Sequence, residues 1–150
     1  MTTPAVHLRF PAKPEYLLLA RLAVAGVARG VPLAEEEVTD LKLAVTEACG
    51  NVVRHAYTSG PLGEIELDLL PGPDRLDLVV EDHGAGIELP LVEREASEAG
   101  GMGLSIIRAV VDELAVGPGP QGGTVVHMTK LAGRHGRGNQ HLEPDAHSEV

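Results

Sequence analysis

Apolar and polar residues alternate with a period of two in two neighbouring stretches of the chain. Ile65, Leu67 and Leu69 alternate with acidic residues, and residues 75–82 continue the pattern with leucines and valines. Because successive side chains of a strand point to opposite faces, each stretch is predicted to be a half-buried β-strand. The sequence PGPD at residues 71–74 favours a turn, so the two strands are predicted to form a hairpin.

Apolar residues at intervals of three and four predict three helices around this hairpin. The first helix follows Pro14 and ends at Gly30, and it is apolar on more than one face. The three predicted helices cover residues 14–30, 35–58 and 102–116. Apolar runs at residues 5–12 and 124–131 predict a first and a last strand. No linker interrupts this order of elements, which favours one domain.

Three polar residues follow one another at intervals of four along the second predicted helix: Glu47, Asn51 and His55. Residues four apart stack along one face of an α-helix. A separate apolar stripe consists of Leu41, Ala44, Val45, Ala48 and Val52. Such a row of a carboxylate, an amide and an imidazole is typical of a solvated helix face, and it is also compatible with the polar wall of a pocket.

The second strand of the hairpin places a carboxylate on its apolar face. Residues 76, 78 and 80 are apolar, and the period of two puts Asp82 on their side of the strand. A carboxylate aimed at a core is unfavourable unless hydrogen-bond donors meet it. Asp82 is therefore predicted either to cap the next turn or to bind a ligand amino group, such as that of adenine. Gly84 and Gly86 follow and permit close approach of the backbone.

Glycines also precede the third predicted helix, in the sequence GGMGL at residues 100–104. Free backbone N–H groups at a helix N-terminus favour bound phosphate, although such glycines are equally common as hinges. The spacing is not that of a Rossmann fingerprint, and the Gly-Lys-Ser/Thr of a P-loop is absent from the sequence.

Composition excludes several classes of function. The net charge of −10 and the aromatic content of 2% argue against binding to nucleic acid. Cys49 is the single cysteine, which excludes a disulfide framework and suits a reducing compartment. The first residues lack the pattern of a secretory signal, and no apolar run approaches the about 20 residues of a membrane span. A cytoplasmic protein without membrane or nucleic-acid partners is expected.

The order of these signals resembles the nucleotide-binding domain of the GHKL superfamily, named for gyrase, a heat-shock chaperone, histidine kinases and a mismatch-repair protein. Within it, AVTEACGNVVRHAY, GGMGLSII and VVHMTK look most like the anti-sigma factor serine kinases of bacteria. The resemblance implies an α/β two-layer sandwich (α+β) of the Bergerat type, with helices on one face of a mixed, mostly antiparallel sheet. It also implies a histidine kinase-like ATP-binding domain at residues 1–132. The polar segment 133–150 is expected to be a disordered tail.

The resemblance assigns roles to individual residues. Asn51 matches the asparagine whose oxygen binds Mg²⁺ beside the nucleotide, and Glu47 matches the general base for the attacking hydroxyl. Asp82 matches the carboxylate that recognises the adenine amino group, with Thr124 beside it through a water molecule. The other residues that the resemblance implies for nucleotide binding are Gly84, Gly86, Ile87, Gly101, Met102, Gly103 and Leu104.

By the same resemblance, the protein is expected to use ATP and Mg²⁺ to phosphorylate a serine on an anti-sigma factor antagonist. It is also expected to sequester a sigma factor and to form a homodimer. Two alternatives stay open at this point. One is a nucleotide-dependent protein-binding module without kinase activity, and the other is a detached histidine-kinase-type ATPase domain.

Two features depart from this pattern, and two residues near the motifs, His55 and Cys49, are expected to have structural roles. The acidic segment 88–99 corresponds to the lid over the triphosphate, and Arg94 is its only basic residue. His83 replaces the small or polar residue often expected after the aspartate, and the sequence offers no physical reason for it. His55 is expected to pack and hydrogen-bond within its helix. Cys49 is expected to be a small core residue.

Overall fold

A computed structural model describes residues 5–57, 62–84 and 102–133. In these ranges five strands form one sheet in the order β1-β2-β3-β5-β4. The strands are β1 (Val6–Pro11), β2 (Glu64–Pro71), β3 (Arg75–Asp82), β4 (Glu113–Pro118) and β5 (Thr124–Leu131). The helices are α1 (Leu17–Ala28), α2 (Glu35–Asn51) and α3 (Met102–Val110). None of the helices within these ranges combines the length and apolar content that a membrane crossing requires.

The predicted hairpin is present, and its register puts the apolar residues of both strands on one face. Leu67 lies opposite Val80, and Leu69 lies opposite Leu78. All four strand pairings in the described part of the chain are antiparallel, whereas a mixed, mostly antiparallel sheet was predicted. The two-layer α+β arrangement itself agrees with the prediction, since the helices pack on one face of the sheet.

The core lies between that sheet face and the helices. The predicted stripe of α2 is buried there, with Leu41 and Val45 completely covered. Cys49 is also completely covered, which confirms its expected place in the core. Burial raises the pKa of its thiol to about 12, so the side chain remains a protonated, apolar group.

The third helix is shorter than predicted. It ends at Val110, and residues 113–118 form the edge strand β4 instead of a further helical turn. Leu114 and Val116 pair with Met128 and Val126 of β5. Apolar residues at 110, 111, 114 and 116 fit both periods. Pairing with the otherwise open edge of β5 satisfies backbone hydrogen-bonding groups of both strands. Residues 113–118 therefore form a strand and not a further turn of α3.

The second helix also departs from its predicted form. Its α-helical part ends at Asn51, and Val52–Ala56 is a turn of π-helix. In a π-turn the backbone hydrogen bonds join residues five apart instead of four. The spacing of the row of polar residues therefore changes after Asn51. His55 therefore no longer stacks below Asn51 as an α-helix would require.

Charged residues hold the opposite end of α2 against the sheet. Lys130, at the end of β5, is buried and donates from Nζ to the Val110 carbonyl (2.6 Å) and to Oδ2 of Asp40 (3.1 Å). Glu37 is buried as well and accepts a hydrogen bond from the N–H of Ala34 (2.7 Å). The buried charge of Lys130 thus has partners, whereas Oε2 of Glu37 is buried without a hydrogen-bond partner among the described residues. The bonds of Lys130 join α2 and the end of α3 to β5, away from the end of α2 that carries Glu47 and Asn51.

Candidate functional site

Asp82 and Thr124 lie side by side where β3 ends and β5 begins. They are only 3% and 2% exposed. Oδ1 of Asp82 accepts a hydrogen bond from the N–H of Gly84 (2.9 Å), and the N–H of Thr124 also donates to this carboxylate. Burial raises the pKa of Asp82, while these two hydrogen bonds and the nearby His83 oppose the rise.

The hydroxyl of Thr124 is the second polar group of this pair. Its Oγ1 is buried, and it has no hydrogen-bond partner within the ranges that the structure describes. Buried hydroxyls nearly always have a partner, either a protein group, a water molecule or a ligand. The end of the sheet therefore presents a buried acceptor and an unsatisfied hydroxyl to the same small region, as a polar ligand would require.

Two glycines allow the backbone to close around Asp82. A Cβ on Gly84 would lie 2.1 Å from the carbonyl oxygen of Ala56, in the π-turn. Gly123 has a φ of 78°, and a Cβ there would lie 1.9 Å from the carbonyl oxygen of Asp82. Gly84 was predicted to bind the nucleotide, and the structure shows a steric reason for its lack of a side chain.

Tyr57 joins the end of the π-turn to the hairpin. Its hydroxyl donates to the Glu64 carbonyl (2.9 Å) and accepts from the N–H of His83 (2.9 Å). The tyrosine thereby braces the segment that carries Asp82 against the end of α2. Tyr57 was not predicted from the sequence, because only the fold brings position 57 to position 83.

Glu47 and Asn51 lie one turn apart on the last part of α2. Glu47 is partly exposed and has no hydrogen-bond or ion-pair partner among the residues described. Oδ1 of Asn51 accepts a hydrogen bond from Nη2 of Arg54 (2.9 Å). Arg54 was not predicted to belong to the site, although a basic residue three positions after the candidate metal ligand is visible in the sequence. The arrangement thus has a free carboxylate, an amide oxygen and a guanidinium along one helix end.

The remaining predicted residues divide into three groups. Leu104 is buried in α3, and Met102 and Gly103 lie in the first turn of the same helix. His55 is exposed and makes no side-chain hydrogen bond to any described residue, so its expected packing within the helix is wrong. The predictions that fall outside the described residues concern Gly86, Ile87, Gly101, Arg94, the segment 88–99 and the tail beyond residue 133.

Residues 10–130 match the family model of the histidine kinase-like ATPase domain. The chain belongs to the histidine kinase-like ATPase family. This confirms the resemblance found in the sequence and makes ATP the nucleotide of the domain. The site at the end of β3 and β5 is accordingly the candidate ATP site of a histidine kinase-like ATPase.

Curated relatives of this ATPase-family chain include serine-protein kinases named RsbW. The protein from Bacillus pumilus is 34% identical over 146 residues, and the alignment covers 89% of each chain. The protein from Bacillus subtilis is 32% identical over 136 residues, covering 83% of this chain and 84% of the relative. The similarity therefore extends over nearly the full length of these kinases.

Solved structures agree with the fold. The RsbU and RsbW domains of a Mycobacterium tuberculosis protein match with a TM-score of 0.64 and 22% identity, covering 86% of this chain and 32% of that chain. A histidine kinase domain from Erythrobacter litoralis matches with a TM-score of 0.58 and 23% identity, covering 83% and 63% of the two chains. The predicted α+β sandwich of the histidine kinase-like type is thereby confirmed.

Proposed function

We propose that this protein binds Mg-ATP, phosphorylates a serine of an anti-sigma factor antagonist and sequesters a sigma factor, acting in the cytoplasm as a homodimer. The observation that carries the proposal is the buried pair of Asp82 and Thr124 in a chain of the histidine kinase-like ATPase family. Serine as the acceptor is supported by the relatives named serine-protein kinases.

Asp82 and Thr124 are proposed to recognise adenine. A buried carboxylate oxygen accepts a hydrogen bond from the adenine amino group, whereas guanine would present a carbonyl oxygen at that position. The unsatisfied hydroxyl of Thr124 would bond the base through a water molecule. Gly84 lets the backbone after Asp82 pack against Ala56, and Gly86 and Ile87 are proposed to complete the adenine edge of the site.

Asn51 is proposed to hold the metal. Its amide oxygen is the kind of ligand that Mg²⁺ prefers. One protein oxygen is sufficient where phosphate and water oxygens supply the other ligands of the ion. Arg54, which now donates to that oxygen, is proposed to turn towards the phosphates when the metal is bound. The phosphate-facing turn is proposed to consist of Gly101, Met102, Gly103 and Leu104.

Glu47 is proposed to accept the proton of the acceptor serine. Its carboxylate is free and partly exposed, one helical turn before Asn51, so a partner hydroxyl has access to it. When bound, ATP would supply the phosphoryl group, and Mg²⁺ would neutralise negative charge on the phosphate oxygens. Glu47 would take the hydroxyl proton as the serine oxygen bonds to the γ-phosphorus and the bond from that phosphorus to the ADP oxygen breaks, with ADP as the leaving group.

Two substitutions on α2 test these roles because they affect different steps. Asn51→Ala is expected to weaken the binding of Mg-ATP, and phosphorylation falls with it. Glu47→Gln is expected to leave ATP affinity nearly unchanged and to lower the rate of transfer by about 10²–10⁴-fold, the usual contribution of a general base. Calorimetry measures the affinity, and mass spectrometry measures phosphoserine on candidate antagonists.

Glu35→Gln is the matched control, since Glu35 is an exposed carboxylate in the first turn of the same helix. A normal transfer rate in Glu47→Gln contradicts the base assignment. If the unsubstituted protein binds ATP and its partner without transfer, the binding module without kinase activity is the better description. Acid-labile phosphohistidine in place of phosphoserine favours a histidine-kinase-type domain.

A further inference from the structure

Two carboxylates and an imidazole meet on the face of the sheet opposite the described helices. Glu66 of β2 lies directly opposite Glu81 of β3 in the register of the hairpin. His83 follows Glu81 by two residues and therefore continues on the same face. One potential ligand atom from each of these residues lies within 4.8 Å of the others. We call Glu66, Glu81 and His83 the open-face cluster.

The contacts within the open-face cluster leave ligand atoms available. Nη2 of Arg9 donates to Oε1 of Glu66 (2.8 Å), which fixes that carboxylate on β2. The other oxygen, Oε2, faces Nε2 of His83 at 3.3 Å. Glu81 is partly buried and has no hydrogen-bond or ion-pair partner among the described residues. Arg9 thus orients Glu66 through one oxygen and leaves its second oxygen directed at the cluster.

Of the two carboxylates in this cluster, Glu66 has Arg9 as a cationic partner, whereas Glu81 has none among the described residues. Carboxylates directly opposite each other on antiparallel strands repel. A divalent cation between the two carboxylates would compensate both, and His83 supplies a third ligand.

We propose that the open-face cluster is a binding site for a first-row divalent metal ion such as Zn²⁺. Zn²⁺ binds imidazole nitrogen and carboxylate oxygen, and three protein ligands leave a position for water. An imidazole ligand selects Zn²⁺ and its neighbours in the series over Mg²⁺, which prefers oxygen alone. The site gives His83, which the family pattern does not explain, a chemical role.

This metal site is separate from the candidate ATP site. Glu81 and His83 flank Asp82 in the chain, but the Asp82 side chain is buried on the opposite face of β3. The two sites therefore lie back to back at one strand end. Binding at the open-face cluster does not depend on the proposed kinase activity, and it is measured without nucleotide.

Titration of the full chain with Zn²⁺, followed by calorimetry, tests the proposal. We expect one strong equivalent per chain, a rise in the thermal unfolding midpoint on zinc binding, and a Co²⁺ absorption spectrum typical of a four-coordinate site. Glu81→Gln and His83→Ala are each expected to weaken zinc binding by about tenfold or more, as loss of groups around a metal does. His83→Ala changes an exposed side chain, and Glu81→Gln relieves repulsion, so both variants are expected to fold.

His127→Ala is the matched control. His127 is a partly exposed histidine on β5, bonded to Asp77 at 2.9 Å, and it lies outside the open-face cluster. Its substitution is expected to leave the zinc affinity unchanged. If Glu81→Gln and His83→Ala bind zinc as tightly as the unsubstituted chain, the ion is held by other residues and the proposal is wrong. Absence of any binding equivalent in the full chain overturns it as well.

Discussion

The buried carboxylate of Asp82 shows a conflict between binding and stability at the scale of one residue. Burial raises its pKa, which means that the charged form is less favourable in the folded protein than in the unfolded chain. The folded state consequently retains a proton that the unfolded state has released at the same pH. Asp82 therefore lowers the free energy of unfolding as the pH rises past the usual range of an aspartate.

Asp82→Asn separates these two effects. We expect the difference in binding free energy that favours ATP over GTP to fall by about 1–3 kcal/mol in this variant. Since the carboxylate also accepts from the N–H groups of Gly84 and Thr124, no orientation of an amide satisfies both the backbone and adenine. At neutral pH the variant should unfold with equal or higher free energy, and this difference should vanish below the ordinary pKa of aspartate.

Nucleotide calorimetry and denaturant unfolding at neutral and acidic pH measure the two effects. Asp74→Asn, in the exposed turn of the hairpin, is the control for removing a carboxylate. Unchanged ATP selectivity in Asp82→Asn would remove the adenine contact from the proposal. A marked loss of stability at neutral pH would show that the charge of Asp82 is favourable to folding.

At the scale of elements, the π-turn after α2 is the part that sets the geometry of the site. It brings Ala56 against Gly84 and lets Tyr57 reach the backbone of His83. π-turns are uncommon and are frequent near functional sites. The hydroxyl of Tyr57 is what ties this turn to both strands of the hairpin.

Tyr57→Phe is expected to lower the free energy of unfolding by about 1 kcal/mol, since the two backbone groups regain water in place of the hydroxyl. Because the same groups position the turn after Asp82, ATP affinity should fall in parallel. Tyr16→Phe is the matched control, as the only other tyrosine has no hydroxyl partner among the described residues. Equal ATP affinity in both variants would limit Tyr57 to a role in stability.

The elements also show how far the sequence determined the result. The boundaries of β2 and β3 follow from alternation and from the turn between residues 71 and 74, and Asp82 was located by the same period. The position of β5 follows from the apolar run at residues 124–131. β4 was missed because the spacing of its apolar residues fits a helix equally well. Only its pairing with the edge of β5 favours a strand. The π-turn has no sequence period of its own, so His55 was misplaced.

The contributions of Arg54 and Tyr57 were not predicted for a different physical reason. Tyr57 acts through a backbone group 26 positions away, and only the packed hairpin brings the two together. Arg54 is visible in the sequence, but its importance follows from the hydrogen bond to Asn51. Local patterns thus identified the candidate ligands, whereas the groups that orient them depend on tertiary contacts.

At the scale of the whole molecule, one side of α1 is left uncovered. Leu18 and Leu22 are both 60% exposed and lie one turn apart on the helix. β1 is an edge strand of the sheet, so its outer backbone groups are also without a strand partner in the described part of the chain. Uncovered apolar residues on a helix and an open strand edge are each typical of an interface between subunits.

We expect a homodimer that uses this side of α1. Leu22→Glu should convert the dimer to a monomer, because a charge in an apolar interface is left without a partner. Light scattering at micromolar concentration, with and without nucleotide, measures the mass. Leu70→Glu is the control, since Leu70 is exposed on β2. A monomeric unsubstituted protein under both conditions contradicts the proposal.

The hydrogen bond from Arg54 to Asn51 affects how the nucleotide-free protein binds a metal ion. The amide oxygen already has a positively charged partner, so the arrival of a metal is an exchange of one cation for another. The metal and the guanidinium compete for one oxygen, so the apparent affinity of the site for the metal is lower than the intrinsic affinity of a free amide oxygen.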